Sequence, residues 1–179
     1  MSHSLILYAT TEGQTARIAE RMAHTLRDRG FVVDAFPADT VANLDLAGYD
    51  GVIIGASIHY GRHPGYLRAW IRSHRGVLAA RPSAFFSVSL SAGGPGARPE
   101  SAKRYLETFL RKTGWRPRQT ASIAGALQYS KYGKFKTLLM RMIVGFAGGH
   151  TDASQDYEYT DWGAVEKFAE NFAQQLKQG

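Results

Sequence analysis

Residues 6–15 read Ile-Leu-Tyr-Ala-Thr-Thr-Glu-Gly-Gln-Thr, and this short stretch limits the fold strongly. An apolar run ends in a hydroxyl-rich turn with one glycine. Ala16 to Arg29 then carries Ile18, Ala19, Met22, Ala23 and Leu26 at helical spacing. A strand, a tight polar loop and a helix N-terminus in that order make an anion site. The first helical N–H groups lack intrahelical partners, and the helix dipole adds partial positive charge there. Thr10, Thr11 and Thr15 contribute hydroxyls, and Gly13 lets the backbone approach a ligand. The loop has no lysine, which excludes the nucleotide loop whose lysine reaches the terminal phosphates, and it does not match the dinucleotide glycine fingerprint. Hydroxyls and amides without a cation suit one phosphate monoester, with the Glu12 carboxylate expected to point to solvent. The same residues also fit an ordinary strand–turn–helix capped by Thr10 or Thr15.

The rest of the chain repeats strand and helix. Apolar runs predict strands at Leu5–Ala9, Phe31–Phe36, Gly51–Ala56, Ala84–Leu90 and Ala121–Leu127. Helical periodicity predicts a weak helix over Val41–Ala47 and clearer ones over Pro64–Arg75, Glu100–Thr113 and Trp162–Lys177, the last capped by Thr160 or Asp161. Near-continuous apolar strands separated by helices predict an α/β fold. It is a five-stranded, doubly wound parallel sheet with helices on both faces and ligand at the carboxyl ends of the strands. A chain of 179 residues, 44% hydrophobic, is expected to form one domain over 1–179. Gln128 to Tyr159 does not fit the alternation and forms an insertion before the last helix. Leu138, Leu139, Met142, Ile143 and Phe146 there can share a helical face flanked by Lys134 and Arg141. Such a face suits contact with a membrane or substrate, and equally packing on the sheet edge or across a dimer.

Composition narrows the chemistry. There are no cysteines, which excludes disulfides, thiolate metal sites and cysteine nucleophiles. His, Asp and Glu spacing gives no metal motif. The net charge is +7, and no acidic residue lies between Glu107 and Asp152. Basic character can serve nucleic acid, anionic lipid or an acidic small molecule. Without a nucleic-acid-binding motif, no nucleic-acid partner is expected. Strand-like sequence by Leu5 leaves no room for a signal peptide, and no window approaches a spanning helix, so a cytoplasmic location is expected.

Three loops in order now carry a resemblance. Ile6, Leu7, Tyr8, Thr10, Gly13 and Thr15 resemble the flavodoxin signature for the phosphate of FMN. Gly55-Ala56-Ser57-Ile58-His59-Tyr60-Gly61 resembles the second flavin loop, and Ser91-Ala92-Gly93-Gly94-Pro95-Gly96 the third. Within that superfamily the chain resembles the bacterial menaquinone-dependent protoporphyrinogen IX dehydrogenases almost end to end. Pro82–Val88, Gly114-Trp115-Arg116-Pro117, Ile123–Leu127 and Tyr159-Thr160-Asp161-Trp162 are further matches. The resemblance implies a flavodoxin-like fold, FMN, protoporphyrinogen IX as donor and menaquinone or ubiquinone as acceptor. It implies cofactor contacts from Thr10, Thr11, Glu12, Gly13, Gln14, Thr15, Ser57, Ile58, His59, Tyr60, Gly61, Ser89, Leu90 and Ser91. Tyr60 is expected to stack near the ring, or else to be a buried core aromatic. Arg62, Lys131, Lys134 and Lys136 are candidate cations for the substrate's propionates, and residues 131–147 for an anionic membrane surface on the cytoplasmic side. No catalytic acid or base is assigned. His63 reads as a surface residue, and His150 as a solvated loop residue or a gate. A flavodoxin electron carrier and a flavodoxin-like NAD(P)H:quinone reductase remain rival readings; basic charge and the insertion count against the carrier.

Overall fold

Strand β1 (His3–Ala9) has neighbours on both sides, so its backbone is paired along both edges. The computed structural model describes residues 2–41 and 43–178, the side chain of Phe135 apart. The main sheet contains β2 (Val32–Pro37), β1, β3 (Gly51–Ser57), β4 (Ser83–Ser89) and β5 (Gln119–Ala124) in the order β2-β1-β3-β4-β5, all parallel. The order reverses between β1 and β3, which opens a crevice at their carboxyl ends.

Side chains alternate across the sheet, as the pleat requires. Ile6, Ile53, Ala84, Phe86 and Val88 face one core with α1 (Gln14–Arg27) and α5 (Trp162–Gln178). Leu5, Leu7, Val52, Ile54 and Phe85 face the other, under α2 (Gly65–Ala79) and α3 (Pro99–Thr113). Both faces are thus covered, which explains why β3 and β4 are almost wholly buried and apolar. Gly55 makes the first core possible: a Cβ there would lie 2.0 Å from the Phe86 ring.

Two elements differ from the sequence expectation. The Val41–Ala47 helix is absent among the described residues, with Ala42 lying outside them. A 3-10 turn at Ala38–Thr40 precedes separate turns closed by Leu44 N–H to Val41 C=O and Ala47 N–H to the Asp45 carboxylate. Leu46 is anchored in the α2/α3 core, so burial rather than helical pairing fixes this segment. The expected strand Ala121–Leu127 breaks at Gly125, whose N–H bonds to Ser89 C=O and whose C=O accepts from Tyr159. Beyond it, β6 (Ala126–Leu127) pairs antiparallel with β7 (Tyr157–Glu158). These short strands close the insertion, which contains α4 (Lys134–Phe146) and a small core of Leu127, Tyr129 and Val144. Asp161 caps α5 by accepting from Ala164 N–H at 3.0 Å, as expected.

Candidate functional site

The anion loop joins β1 to α1 with Gly13 in the left-handed region at φ +98°, directly before the helix. Most L-residues are strained there, and glycine is not. Neither threonine caps the helix. Thr10 instead accepts from Gly13 N–H at 2.9 Å and tightens the loop. Thr15 is 1% exposed, yet its hydroxyl has no hydrogen-bond partner. A buried hydroxyl without a partner costs ~1–3 kcal/mol, so its presence at a helix N-terminus beside a cavity calls for a ligand acceptor. The Gln14 side chain is committed elsewhere. Its amide donates to Thr160 Oγ1 at 2.9 Å, and Thr160 in turn donates to Ala124 C=O.

The cavity above this loop is bordered by Thr10, Thr11, Glu12, Gln14 and Thr15 from the first loop, and by Ser57, Ile58, His59 and Tyr60 from the second. Ser89 and Leu90 come from the end of β4, just ahead of the third expected loop, and Gly125, Ala126, Tyr132 and Met140 from the insertion side. The first two expected loops therefore meet at this cavity, whereas the third, 91–96, borders a separate one. Ser89 carries a second buried hydroxyl with no partner. Ser91 lies beyond Leu90 and faces a separate cavity. Leu90 itself has left the expected strand and starts a 3-10 turn over Leu90–Ala92.

The second loop is a tight hairpin. His59 and Arg62 exchange backbone hydrogen bonds at 2.9 and 3.2 Å, with Tyr60 at φ +48° and Gly61 at φ +76° between them. Two central residues at positive φ form the turn type that suits tight hairpins. Tyr60 is 68% exposed, which excludes the buried-aromatic reading, and its ring meets that of His59 edge-on at 4.2 Å. Gly61 and Arg62 sit at the exposed tip and do not border the cavity. His63 corrects the surface expectation. It is buried, bonded through Nε2 to Ser87 Oγ at 2.8 Å and packed on Phe85 and Phe109. Burial lowers its pKa to about 4, so it is a neutral core residue.

Glu12 corrects another expectation. Its carboxylate does not point to solvent; it accepts from Tyr132 OH at 2.7 Å and Lys136 Nζ at 2.6 Å, while Lys131 Nζ reaches Glu12 C=O at 2.7 Å. Lys136 also lies 4.4 Å from the centroid of the Tyr132 ring. Burial, followed by the bond to Glu12, raises the Tyr132 pKa and keeps its hydroxyl a donor. Lys131 Nζ lies 3.3 Å from where a Gly13 Cβ would be, so the insertion brings to the anion loop the cation missing from its sequence. Lys136 is thereby spent on Glu12, whereas Lys134 faces an outer groove with Thr137, Leu138 and Arg141. Sequence reading missed Tyr132, Met140, Gly125 and Ala126. The usable signal was the unexplained acid in an anion loop, which needs a cationic partner. The acid-free stretch between Glu107 and Asp152 is one of two that could supply it, the other lying between Asp50 and Glu100. His150 bonds through Nδ1 to Tyr159 OH at 2.6 Å and stacks on Tyr157. The described residues contain no cluster of His, Asp and Glu able to hold a metal.

A doubly wound parallel sheet with a crevice at the carboxyl ends of β1, β3 and β4 is the architecture of flavodoxin-type proteins, and residues 5–154 match the flavodoxin domain family. Oxidised flavodoxin 1 from Bacillus cereus superposes with a TM-score of 0.59 at 16% identity, covering 97% of this chain and 98% of that one. Rubredoxin oxygen:oxidoreductase from Desulfovibrio gigas superposes with a TM-score of 0.57 at 15% identity, covering 99% of this chain and 37% of that one. These likenesses establish the fold. The sequence is also 36% identical over 170 residues to the quinone-type protoporphyrinogen IX dehydrogenase of Escherichia coli K12, covering 95% of this chain and 94% of that protein. It is 38% identical over 173 residues to the protein of the same name from Leishmania major, covering 94% of this chain and 74% of that one. The chain belongs to the quinone-dependent protoporphyrinogen IX dehydrogenase family, built on a flavodoxin domain.

Proposed function

We propose that this protein oxidises protoporphyrinogen IX to protoporphyrin IX with FMN as its flavin and a quinone as acceptor, in haem biosynthesis, at a membrane surface. The observation that carries the reading is the likeness to the named dehydrogenases over 95% of the chain, which takes in the insertion as well as the sheet.

The donor set fits a flavin mononucleotide. The unpartnered Thr15 hydroxyl, the hydroxyls of Thr10 and Thr11 and the N-terminus of α1 suit one phosphate, with Lys131 adding charge. Gly13 keeps the loop backbone close. Ser57, Ile58, His59, Leu90 and Ala126 border the cavity and would hold the rest of the flavin, and the unpartnered Ser89 hydroxyl would be free to bond to it. Bound there, the flavin supplies two-electron exchange between donor and acceptor, and the protein supplies position and field. Exposed Tyr60 borders the open side and would stack near the ring. Arg62 and Lys134, which form no ion pair among the described residues, receive propionates. Lys131 and Lys136 contribute there only through their positive potential. Gly61 and Ser91 shape the two loops rather than touch the cofactor.

Residues 131–147 suit the membrane. Leu138, Met142, Ile143 and Phe146 are all exposed on α4, with Lys134 and Arg141 beside them. An apolar stripe flanked by cations favours the interface of an anionic bilayer. No helix among the described residues is long and apolar enough to cross one.

The test is anaerobic mixing of FMN-loaded protein with protoporphyrinogen IX, followed by addition of a menaquinone analogue. Flavin bleaching, porphyrin fluorescence and quinone-dependent reoxidation are the expected results. Firm FMN binding without bleaching refutes the donor. Bleaching by NAD(P)H in its place would move the protein to the reductases.

A further inference from the structure

We propose that the separate cavity between the third loop and α4 is the quinone's own site, entered from the bilayer along the exposed face of α4. This rests on the quinone-dependent reading above and gives that acceptor a place distinct from the donor's.

The cavity measures about 460 Å³, within the range of small-molecule sites. Leu127, Ile143, Val144 and Phe146 form apolar walls, and Arg98, Ser101 and Tyr105 bring donors from the start of α3. Ile143 is 49% and Phe146 87% exposed, so the residues that line the cavity also belong to the apolar stripe outside it. A neutral ring on a long apolar tail can follow that surface without crossing water. A tetrapyrrole must keep its two propionates hydrated or paired and is less suited to that path.

Charge points the same way. No carboxylate lines the cavity, and Arg98 forms no ion pair among the described residues. A quinone enters neutral and gathers negative charge on its oxygens as it is reduced, which a guanidinium stabilises. Leu90 borders both cavities, so a flavin held in the first would have the acceptor's cavity as its neighbour across this side chain. Electrons cross such a gap, whereas hydride transfer needs contact. The donor therefore keeps the open side near Tyr60. The acceptor takes two electrons from the reduced flavin. An anionic reduced flavin would give up both electrons and release its one N5 proton to solvent. Solvent would return two protons to the quinone through exposed His150 and Tyr159, whose hydroxyl is bonded to it. Quinone becomes hydroquinone, and oxidised flavin remains.

The experiment has two readouts on FMN-loaded protein. One is photolabelling by an azido-naphthoquinone with mapping of the labelled peptides. The other is stopped-flow reoxidation of dithionite-reduced protein by a short-chain naphthoquinone, beside bleaching of the oxidised protein by protoporphyrinogen IX. Ser101→Trp fills the cavity from α3, Arg98→Gln removes its charge, and FMN titration verifies the fold of each. Label is expected within residues 95–105 or 138–147. Reoxidation of Ser101→Trp is expected to slow about tenfold or more, with bleaching unchanged. Label confined to residues 57–62, with both variants reoxidised at the wild-type rate, overturns the proposal. So does slowed bleaching with normal reoxidation, which would make the cavity the donor's. Failure of porphyrinogen to bleach the flavin, with labelling and reoxidation as expected, removes the donor reading and leaves the quinone site standing.

Discussion

Replacing Thr15 by valine should change the apoprotein and the holoprotein in opposite directions. The hydroxyl is enclosed and has no partner among the described residues. Its desolvation therefore burdens the apo fold by about 1–3 kcal/mol, part of which an apolar group of the same shape recovers. A net gain of about 1 kcal/mol, with a urea m-value of about 2 kcal/mol/M, raises the apo midpoint by about 0.5 M. The holoprotein loses a hydrogen bond to a charged phosphate, about 1.5–3 kcal/mol, so FMN should bind about 10- to 100-fold more weakly. Urea unfolding of cofactor-free protein and titration of FMN by fluorescence quenching measure the two effects. An apoprotein made less stable, with FMN affinity unmoved, would refute the assignment and make the hydroxyl a packing group.

Glu12→Gln removes the ion pair to Lys136 and weakens the Tyr132 bond; hydrogen exchange should quicken over 129–146 and stay unchanged in β1, β3 and β4, at a cost of about 1 kcal/mol. His63 has a folded pKa near 4 against 6.5 unfolded. Its stabilisation is full above pH 6.5, falls as the unfolded chain takes up its proton between 6.5 and about 4, and levels off below, a loss of about 3 kcal/mol. His63→Asn should flatten that part of a urea-midpoint profile, and parallel profiles would count against the burial argument. Gly55→Ala drives a methyl into the Phe86 ring and should cost about 3 kcal/mol or prevent folding, as judged by circular dichroism. Phe146→Ser with Met142→Ser should lower cosedimentation with anionic vesicles several-fold while FMN binding persists, since both side chains are exposed.

The sheet was legible because β1, β3 and β4 are buried on both faces and their apolar runs survive without context, while the partly exposed edge strands β2 and β5 follow from the strand–helix alternation. The meeting of the first two loops was legible because a parallel sheet places successive strand ends together. Elements shaped by distant contacts were not. Gly125 leaves the sheet to pair with Ser89 and Tyr159, and an apolar run does not record where its partners change. The Val41–Ala47 spacing imitates a helix, but the Asp45 carboxylate closes a turn and Leu46 is claimed by the core. His63 carries no local sign of Ser87, which is 24 residues away. Lys131 meets Glu12 across 119 residues, so the loop's cation was invisible in the loop. Ser89, Leu90 and Ser91 look alike by position, yet the turn after β4 sends Ser91 to a different cavity.

The grip of the insertion on Glu12 makes cofactor affinity and events on α4 a single reciprocal equilibrium. Whatever draws Lys131 and Lys136 off the loop must loosen the flavin, and by linkage a bound flavin resists that withdrawal by the same factor. A ligand that favours the docked position of α4 tightens the cofactor in return. Retention of flavin would thus report on the outer face of α4, a helix whose Met140 borders the cavity from the other side, and only an occupant that favours the docked position would tighten the cofactor.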